Sequence, residues 1–303
     1  MGKCEKLMHG GNYTVEKRGK MRYNTFRLFL DLHKGLMRKM KPSILITGAY
    51  GGMGTAAAKA LRDIGFRVFA LDINTGAEEE NIIPIKADIT DEESVKSAFS
   101  KIAEVTDGLF GVIHFAGIYM LDSLVEMKSE DFERIFKINL GGVYLVNKTF
   151  LPLLKKGSRI IITTSELAPL DPLPFTGIYA VTKGALEKYA FSLRMELQLK
   201  GIEVSVLRAG AVRTGMLGVS TDALDRFCEK TELYSCNAER FKRIVDRVEA
   251  ANVEPFAIAQ KVVRILKKRH PRFAYSINRN PLLLLLNMLP AGLQFWVIKQ
   301  VLK

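Results

Sequence analysis

Tyr179 and Lys183 are the residues whose types and spacing point most directly to chemistry. Four positions apart on a helix, they share one face about one turn apart. A free phenol titrates near ~10, too high for efficient acid-base work at neutral pH. A fixed ammonium beside it favours the phenolate and draws that value toward the working range. The pair therefore reads as a proton-transferring tyrosine tuned by a lysine. Because many solvated or core-packed helices carry the same spacing by chance, it gains weight only when other parts of a site accompany it.

Those parts lie upstream. Ser43-Ile44-Leu45-Ile46-Thr47 is a short apolar run suited to a strand buried on both faces of a parallel sheet. Gly48-Ala49-Tyr50-Gly51-Gly52-Met53-Gly54 follows, and then the helix-forming stretch 55–61. Glycines at such a turn permit close backbone approach, and the helix N-terminus faces a pyrophosphate. The next strand, 67–71, ends in Asp72, which stands 18 residues after Gly54. An acid there accepts hydrogen bonds from the adenosine ribose and repels a 2′-phosphate. The glycine turn contains no Lys or Arg, and neither is found at Ile73 beside the aspartate. NAD is thus the expected cofactor, with NADP the alternative.

The elements that would position these residues alternate along the chain. Strands are expected at 82–85, 109–115, 159–164 and 204–207, and helices at 129–150, from Tyr179 to about 199, and at 256–268. The pattern Thr90-Asp91-Glu92-Glu93 caps another helix. This alternation predicts an α/β fold with a single Rossmann-type, doubly wound parallel sheet. Residues 215–253 are polar and helical in patches (221–228, 238–250), follow directly on a strand end, and read as a substrate lid.

Composition bounds the rest. A 48% hydrophobic and 25% charged content is that of a soluble globular protein. Formal charge is +13, concentrated at the ends: 11 Lys/Arg against 3 acids over 1–41, and 9 Lys/Arg with no acid over 255–303. The body, 42–254, is left at −4. Residues 22–40 repeat apolar side chains (Phe26, Phe29, Leu30, Leu36, Met37) near helical period among basic ones, as in an amphipathic interfacial helix. An internal start at Met21, Met37 or Met40 would remove part of it. The ends lack the aromatic-interleaved basic stripe of a nucleic-acid face, so an anionic membrane surface is the better partner. The stretch 282–302 is long enough to span a bilayer but is interrupted by Asn287, Pro290, Gln294, Lys299 and Gln300, which favours an interfacial or core role. The first twenty residues lack the apolar core of a signal peptide. Cys4, Cys228 and Cys236 have no metal spacing, the four histidines are scattered, and no metal site is expected. Together these features read as a cytoplasmic protein with possible membrane contact.

In their order and spacing these residues resemble the short-chain dehydrogenase/reductase family over about 42–270. The turn fits the family's Thr-Gly-x-x-x-Gly-x-Gly as Thr47 to Gly54, and Asp88-Ile89 match its adenine-contacting pair. Asn139, Ser165, Tyr179 and Lys183 match its catalytic tetrad, with 26 residues from Asn139 to Ser165 and 14 from there to Tyr179. Three departures stand out. His114-Phe115-Ala116-Gly117 replaces Asn-Asn-Ala-Gly, keeping the small Ala116-Gly117 pair that lets the cofactor pass and leaving His114 as a structural substitute. Ala209-Gly210 replaces Pro-Gly, with Val212 and Thr214 retained for the nicotinamide end. The segment after Ser165 is long and proline-rich, with Thr164 the neighbouring alternative to that serine.

The resemblance implies hydride transfer, with Tyr179 moving the hydroxyl proton, Lys183 tuning it and holding the nicotinamide ribose, Ser165 bonding the substrate oxygen and Asn139 placing a water. It also implies a homodimer or homotetramer through the helices carrying Asn139 and Tyr179. The tail 271–303, opening with Pro271-Arg272-Phe273-Ala274-Tyr275, is similar to those of retinol and hydroxysteroid dehydrogenases, which implies a large apolar alcohol or ketone such as a steroid, bile acid or retinoid. The rival expectation is a catalytically silent, membrane-associated binding protein on the same fold.

Overall fold

A computed structural model describes residues 41–249 and 252–303. The amphipathic segment expected at 22–40 lies outside them. Strands β1 (Ser43–Thr47), β2 (Arg67–Asp72), β3 (Ile82–Lys86), β4 (Leu109–His114), β5 (Leu154–Ser165), β6 (Glu203–Ala209) and β7 (Ala274–Ile277) form one sheet in the order β3-β2-β1-β4-β5-β6-β7. Every pairing is parallel. β1 and β4 are buried along their whole length, which is why they read as unbroken apolar runs rather than alternating ones.

Helices cover both faces. On one, α1 (Gly52–Asp63) buries Gly54, Ala57, Ala58 and Leu61, and α8 (Pro255–Leu266) buries Ile258, Ala259 and Val262. On the other, Leu45, Phe69, Val112, Ile160 and Val206 join one core with Val95 and Ile102 of α2 (Glu92–Ala103), Val146 and Phe150 of α4 (Gly142–Phe150), and Leu186 and Ala190 of α5 (Gly177–Leu197). Asp91 caps α2 by accepting the backbone N–H groups of Glu93 and Ser94. The remaining helices are α3 (Ser129–Phe136), the lid pair α6 (Gly215–Lys230) and α7 (Ser235–Glu249), and the C-terminal α9 (Pro281–Asn287) and α10 (Ala291–Leu302).

The structure departs from the sequence expectation in two places. The helix expected over 129–150 is divided by a π-helical turn, Lys137–Gly141, that carries Asn139. Such turns are rare and concentrate at functional sites. The sheet also runs past 270: β7 pairs Ala274–Ile277 with Val206–Ala209, so part of the expected tail is an edge strand of the domain. No helix among the described residues is long and apolar enough to cross a membrane.

Register then sets the site. Thr47 lies opposite His114, His114 opposite Ile162, and Ser165 opposite Ala209, so β1 and β4 end level with each other while β5 and β6 run three residues further along the same carboxyl edge. In an open parallel sheet that edge is where a ligand sits.

Candidate active site

The glycine turn between β1 and α1 is held against the strand end. Gly48 has φ +68, and a Cβ there would fall 2.5 Å from the Ala116 backbone N. Only glycine fits both the dihedral and the approach. A Cβ on Gly52 would lie 2.7 Å from Thr214 Cγ2, so the turn packs directly against Thr214, and both line the same cleft. Asp72 Oδ2 accepts the Tyr50 N–H at 3.0 Å and its Oδ1 accepts the Asn74 N–H at 3.3 Å, which fixes the carboxylate at the tip of β2. Asp88 Oδ1 accepts the Thr90 N–H and hydroxyl, each at 2.8 Å.

Around these groups runs a cleft of about 1410 Å³. Of the residues expected to bind cofactor, Gly48, Tyr50, Gly51, Gly52, Met53, Gly54, Asp72, Ile73, Asp88, Ile89, Ala116, Gly117 and Thr214 line it. Glycine backbone at a helix N-terminus, a fixed carboxylate and ample volume fit a dinucleotide. Tyr179, Lys183 and Val212, also expected to bind cofactor, do not line the cleft; Val212 is buried, bridges to Val253, and accepts the Thr214 N–H at 2.8 Å.

Behind the cleft the four catalytic candidates meet. Ser165 Oγ accepts the Leu167 N–H at 3.2 Å and lies close enough to the Tyr179 phenol to act on its pKa. Lys183 Nζ lies 5.6 Å from the centre of the Tyr179 ring and donates to the Thr163 carbonyl at 3.4 Å. Asn139 is fully buried. Its Oδ1 accepts the Ile118 N–H at 2.8 Å, and its Nδ2 donates to the Ile118 carbonyl at 3.0 Å and to Thr182 Oγ1 at 3.2 Å. The π turn thus ties the chain just after Gly117 to the tyrosine helix, for Thr182 Oγ1 itself donates to the Tyr179 carbonyl at 2.8 Å. A Cβ on Gly117 would approach Asn139 Oδ1 at 3.0 Å and Lys183 Nζ at 3.5 Å, so a larger residue there would press on both side chains.

In the protein alone, burial pushes the Tyr179 phenol up from its ordinary value, with Tyr119 adding to the rise and Ser165 opposing it. Lys183 is lowered to about 8, because burial disfavours its charge. Lys183 Nζ turns toward the Thr163 carbonyl.

Sequence reasoning missed Tyr119. Its ring lies 4.9 Å from that of Tyr179 and itself lines the cleft, so it separates the phenol from the wider space. Nothing in the local sequence marks it, since the contact is made only by the fold. Phe175 was missed too. It holds φ +65 and sits in an aromatic cluster with Phe227, Tyr234 and Phe241 at centroid distances of 4.7, 5.3 and 5.4 Å. Leu121, Leu224 and Leu302 complete this apolar cap. Glu126 holds the lid turn by accepting the Thr231 hydroxyl at 2.7 Å and the Glu232 N–H at 2.9 Å.

His114 serves structure. It is buried, its Nε2 meets Asn147 Oδ1 at 2.9 Å, and burial lowers it to about 4. The unfolded chain takes up a proton near ~6.5 while the fold resists until about 4, so this contribution is complete above ~6.5 and fades as pH falls through that window. On the order of 3 kcal/mol is at stake at this buried position. His114→Asn is expected to flatten the acid side of the stability curve between pH 7 and 5, measured by denaturant midpoints; an unchanged slope would remove His114 from the account.

Comparison with known proteins agrees with this architecture. The sequence profile of the family described as "short chain dehydrogenase" matches residues 42–225. Mouse estradiol 17-beta-dehydrogenase 2 is 34% identical over 198 residues, covering 61% of this chain and 51% of that enzyme. The chain therefore spans about half the length of that relative. An uncharacterized oxidoreductase, YbbO, of Escherichia coli K12 is 30% identical over 250 residues, covering 77% of this chain and 91% of its own. A solved short-chain dehydrogenase family structure from Francisella tularensis superposes with a TM-score of 0.66 at 22% identity, covering 78% of this chain and 97% of that one. The protein that carries this tetrad belongs to the short-chain dehydrogenase family.

Proposed function

We propose that the protein is an NAD-dependent oxidoreductase that moves a hydride between the nicotinamide and a carbinol or carbonyl carbon of a large apolar substrate such as a steroid, bile acid or retinoid. The observation that carries this reading is the convergence of Ser165, Lys183 and Asn139 on the Tyr179 side of the cleft, with Lys183 Nζ 5.6 Å from the Tyr179 ring centre and Gly117 packed between Asn139 and Lys183. The dinucleotide would supply the hydride site. Tyr179 holds the transferable proton at its phenol oxygen, and Ser165 is placed to donate to the same substrate oxygen, where negative charge develops. Lys183 and the Asn139–Ile118 bonds hold that geometry. Similarity to an estradiol dehydrogenase and the apolar cap of Leu121, Phe175, Phe227 and Phe241 support an apolar substrate.

The test is nicotinamide absorbance with steroid, retinoid and long-chain ketones and alcohols, offered with both cofactors. Dinucleotide binding without turnover across that panel would favour the silent binding protein instead. For cofactor choice, Asp72 is the discriminating residue. Asp72→Ala is expected to shift the NAD-to-NADP preference by at least about tenfold, or ~1.4 kcal/mol, as repulsion of a 2′-phosphate is lost. No shift would count against NAD selection by this carboxylate. A second copy is the proposed protein partner, through the outer faces of α4 and α5, where Tyr144, Val181, Phe191 and Met195 are exposed.

A further inference from the structure

The C-terminal helices show two unlike faces. The inner face of α10 carries Gln294, Ile298 and Leu302. Gln294 donates to Asp171 Oδ2 at 3.1 Å, Leu302 and Ile298 join the aromatic cap, and Asn237 of the lid donates to the Leu302 carbonyl at 2.6 Å. Glu166, next to Ser165, accepts the Asn280 N–H at 2.6 Å, and Asn287 Oδ1 accepts the Asp171 N–H at 2.6 Å. These bonds lock the tail to the body and use up the acidic groups it meets on that side.

The outer face is different. Phe295, Trp296, Lys299 and Lys303 recur there at helical spacing, and all are exposed, Phe295 at 74% and Trp296 at 59%. Leu282 and Leu285 of α9 and Met288 just after it are exposed as well, Met288 at 81%. Large apolar side chains gathered on two consecutive helices mark an interaction surface. The tail itself carries charge of one sign, because 255–303 contains 9 Lys/Arg and no acid; the acids it meets, Asp171 and Glu166, bond Gln294 and Asn280 on the inner side. Aromatic rings next to lysines on the outward side of a short helix match the headgroup level of a bilayer. Lysines with no acid among the residues of α9 and α10 favour an anionic lipid surface over a protein partner, whose docking face would mix signs.

We propose that α9 and α10 form a docking face for an anionic phospholipid membrane. Leu282, Leu285, Met288, Phe295 and Trp296 enter the headgroup–acyl boundary, while Lys299 and Lys303 meet the phosphates. The same two lysines line a groove of about 570 Å³ with Leu124, Val125 and Phe175. Membrane contact therefore brings lipid to the rim of an apolar groove whose wall, Phe175, belongs to the cap over the site.

Trp296 is the single tryptophan of the chain, so its emission reports on this face without a label. With full-length protein, vesicles of phosphatidylcholine containing phosphatidylserine are expected to move that emission to shorter wavelength, and acyl-brominated lipid to quench it. Pure phosphatidylcholine should bind at least about tenfold more weakly. Lys299→Gln and Lys303→Gln should each weaken partition about fivefold, with unfolding midpoints unchanged. Three results would overturn the proposal: no vesicle binding, binding with unshifted and unquenched Trp296, or a blue shift that grows with protein concentration in the absence of lipid. The last would assign the face to a second copy.

Discussion

Tyr179→Phe is expected to lower the maximal rate of hydride transfer by at least about 10²-fold, the usual scale for a positioned acid-base group. Only one oxygen is removed. The ring keeps its place against Tyr119, 4.9 Å away, and Lys183 keeps its bond to the Thr163 carbonyl. Dinucleotide binding should survive, because the phenol lies behind the cleft rather than in its wall. The contrast between lost turnover and retained binding separates a chemical role from a structural one. Steady-state rates on an apolar ketone, paired with a calorimetric titration of the dinucleotide, would measure both. A variant within a few-fold of the native rate would remove Tyr179 from the chemistry. A variant that lost both properties would mean that the phenol holds the cleft together.

How much of this site is legible in the sequence depends on the range of the interaction that makes each part. The strand–glycine turn–helix unit and Asp72 are local: burial on both faces favours the apolar centre of β1, Ile44–Ile46, and close packing forces glycine at 48 and 54. Asn139 and Ser165 stand well upstream of the Tyr179–Lys183 pair, yet each belongs to an element whose pattern is itself local, so their order and spacing suffice to group the four. What fails is anything decided across elements. Tyr119 gains its role from a ring contact sixty positions away, and the pKa directions at Tyr179 and Lys183 follow from burial that spacing does not encode. β7 escapes notice because it is a short, half-buried edge strand, Ala274–Ile277, without an apolar run. The tail reads from its composition as either interfacial or core. In the fold it is divided by helix face, with Leu302 in the cap and Trp296 outside.

That same distinction between local and long-range constraint makes the glycine turn the place where one methyl group should do the most harm to the fold. A Cβ on Gly54 would fall 2.0 Å from the Gly48 carbonyl oxygen and 2.7 Å from Ala49 Cα. Both obstacles are backbone, and Gly48 is already fixed at φ +68 against Ala116, so neither can step aside cheaply. Gly54 also opens the buried face of α1 that continues through Ala57, Ala58 and Leu61. An added methyl must push the helix off the strand along that whole seam. Overpacking of this kind costs roughly 3 kcal/mol. For a chain of this size that corresponds to a fall in Tm of about 6–12 °C. Gly51 provides the control, because a Cβ there meets only the Gly48 carbonyl oxygen at 3.4 Å, an ordinary contact, and its φ is −71. Gly51→Ala should therefore keep its Tm within about 2 °C of the native protein. Thermal unfolding of the two variants, without added dinucleotide, decides the matter. Equal melting temperatures would mean that Gly54 is required for the cofactor rather than for seating α1 on the sheet.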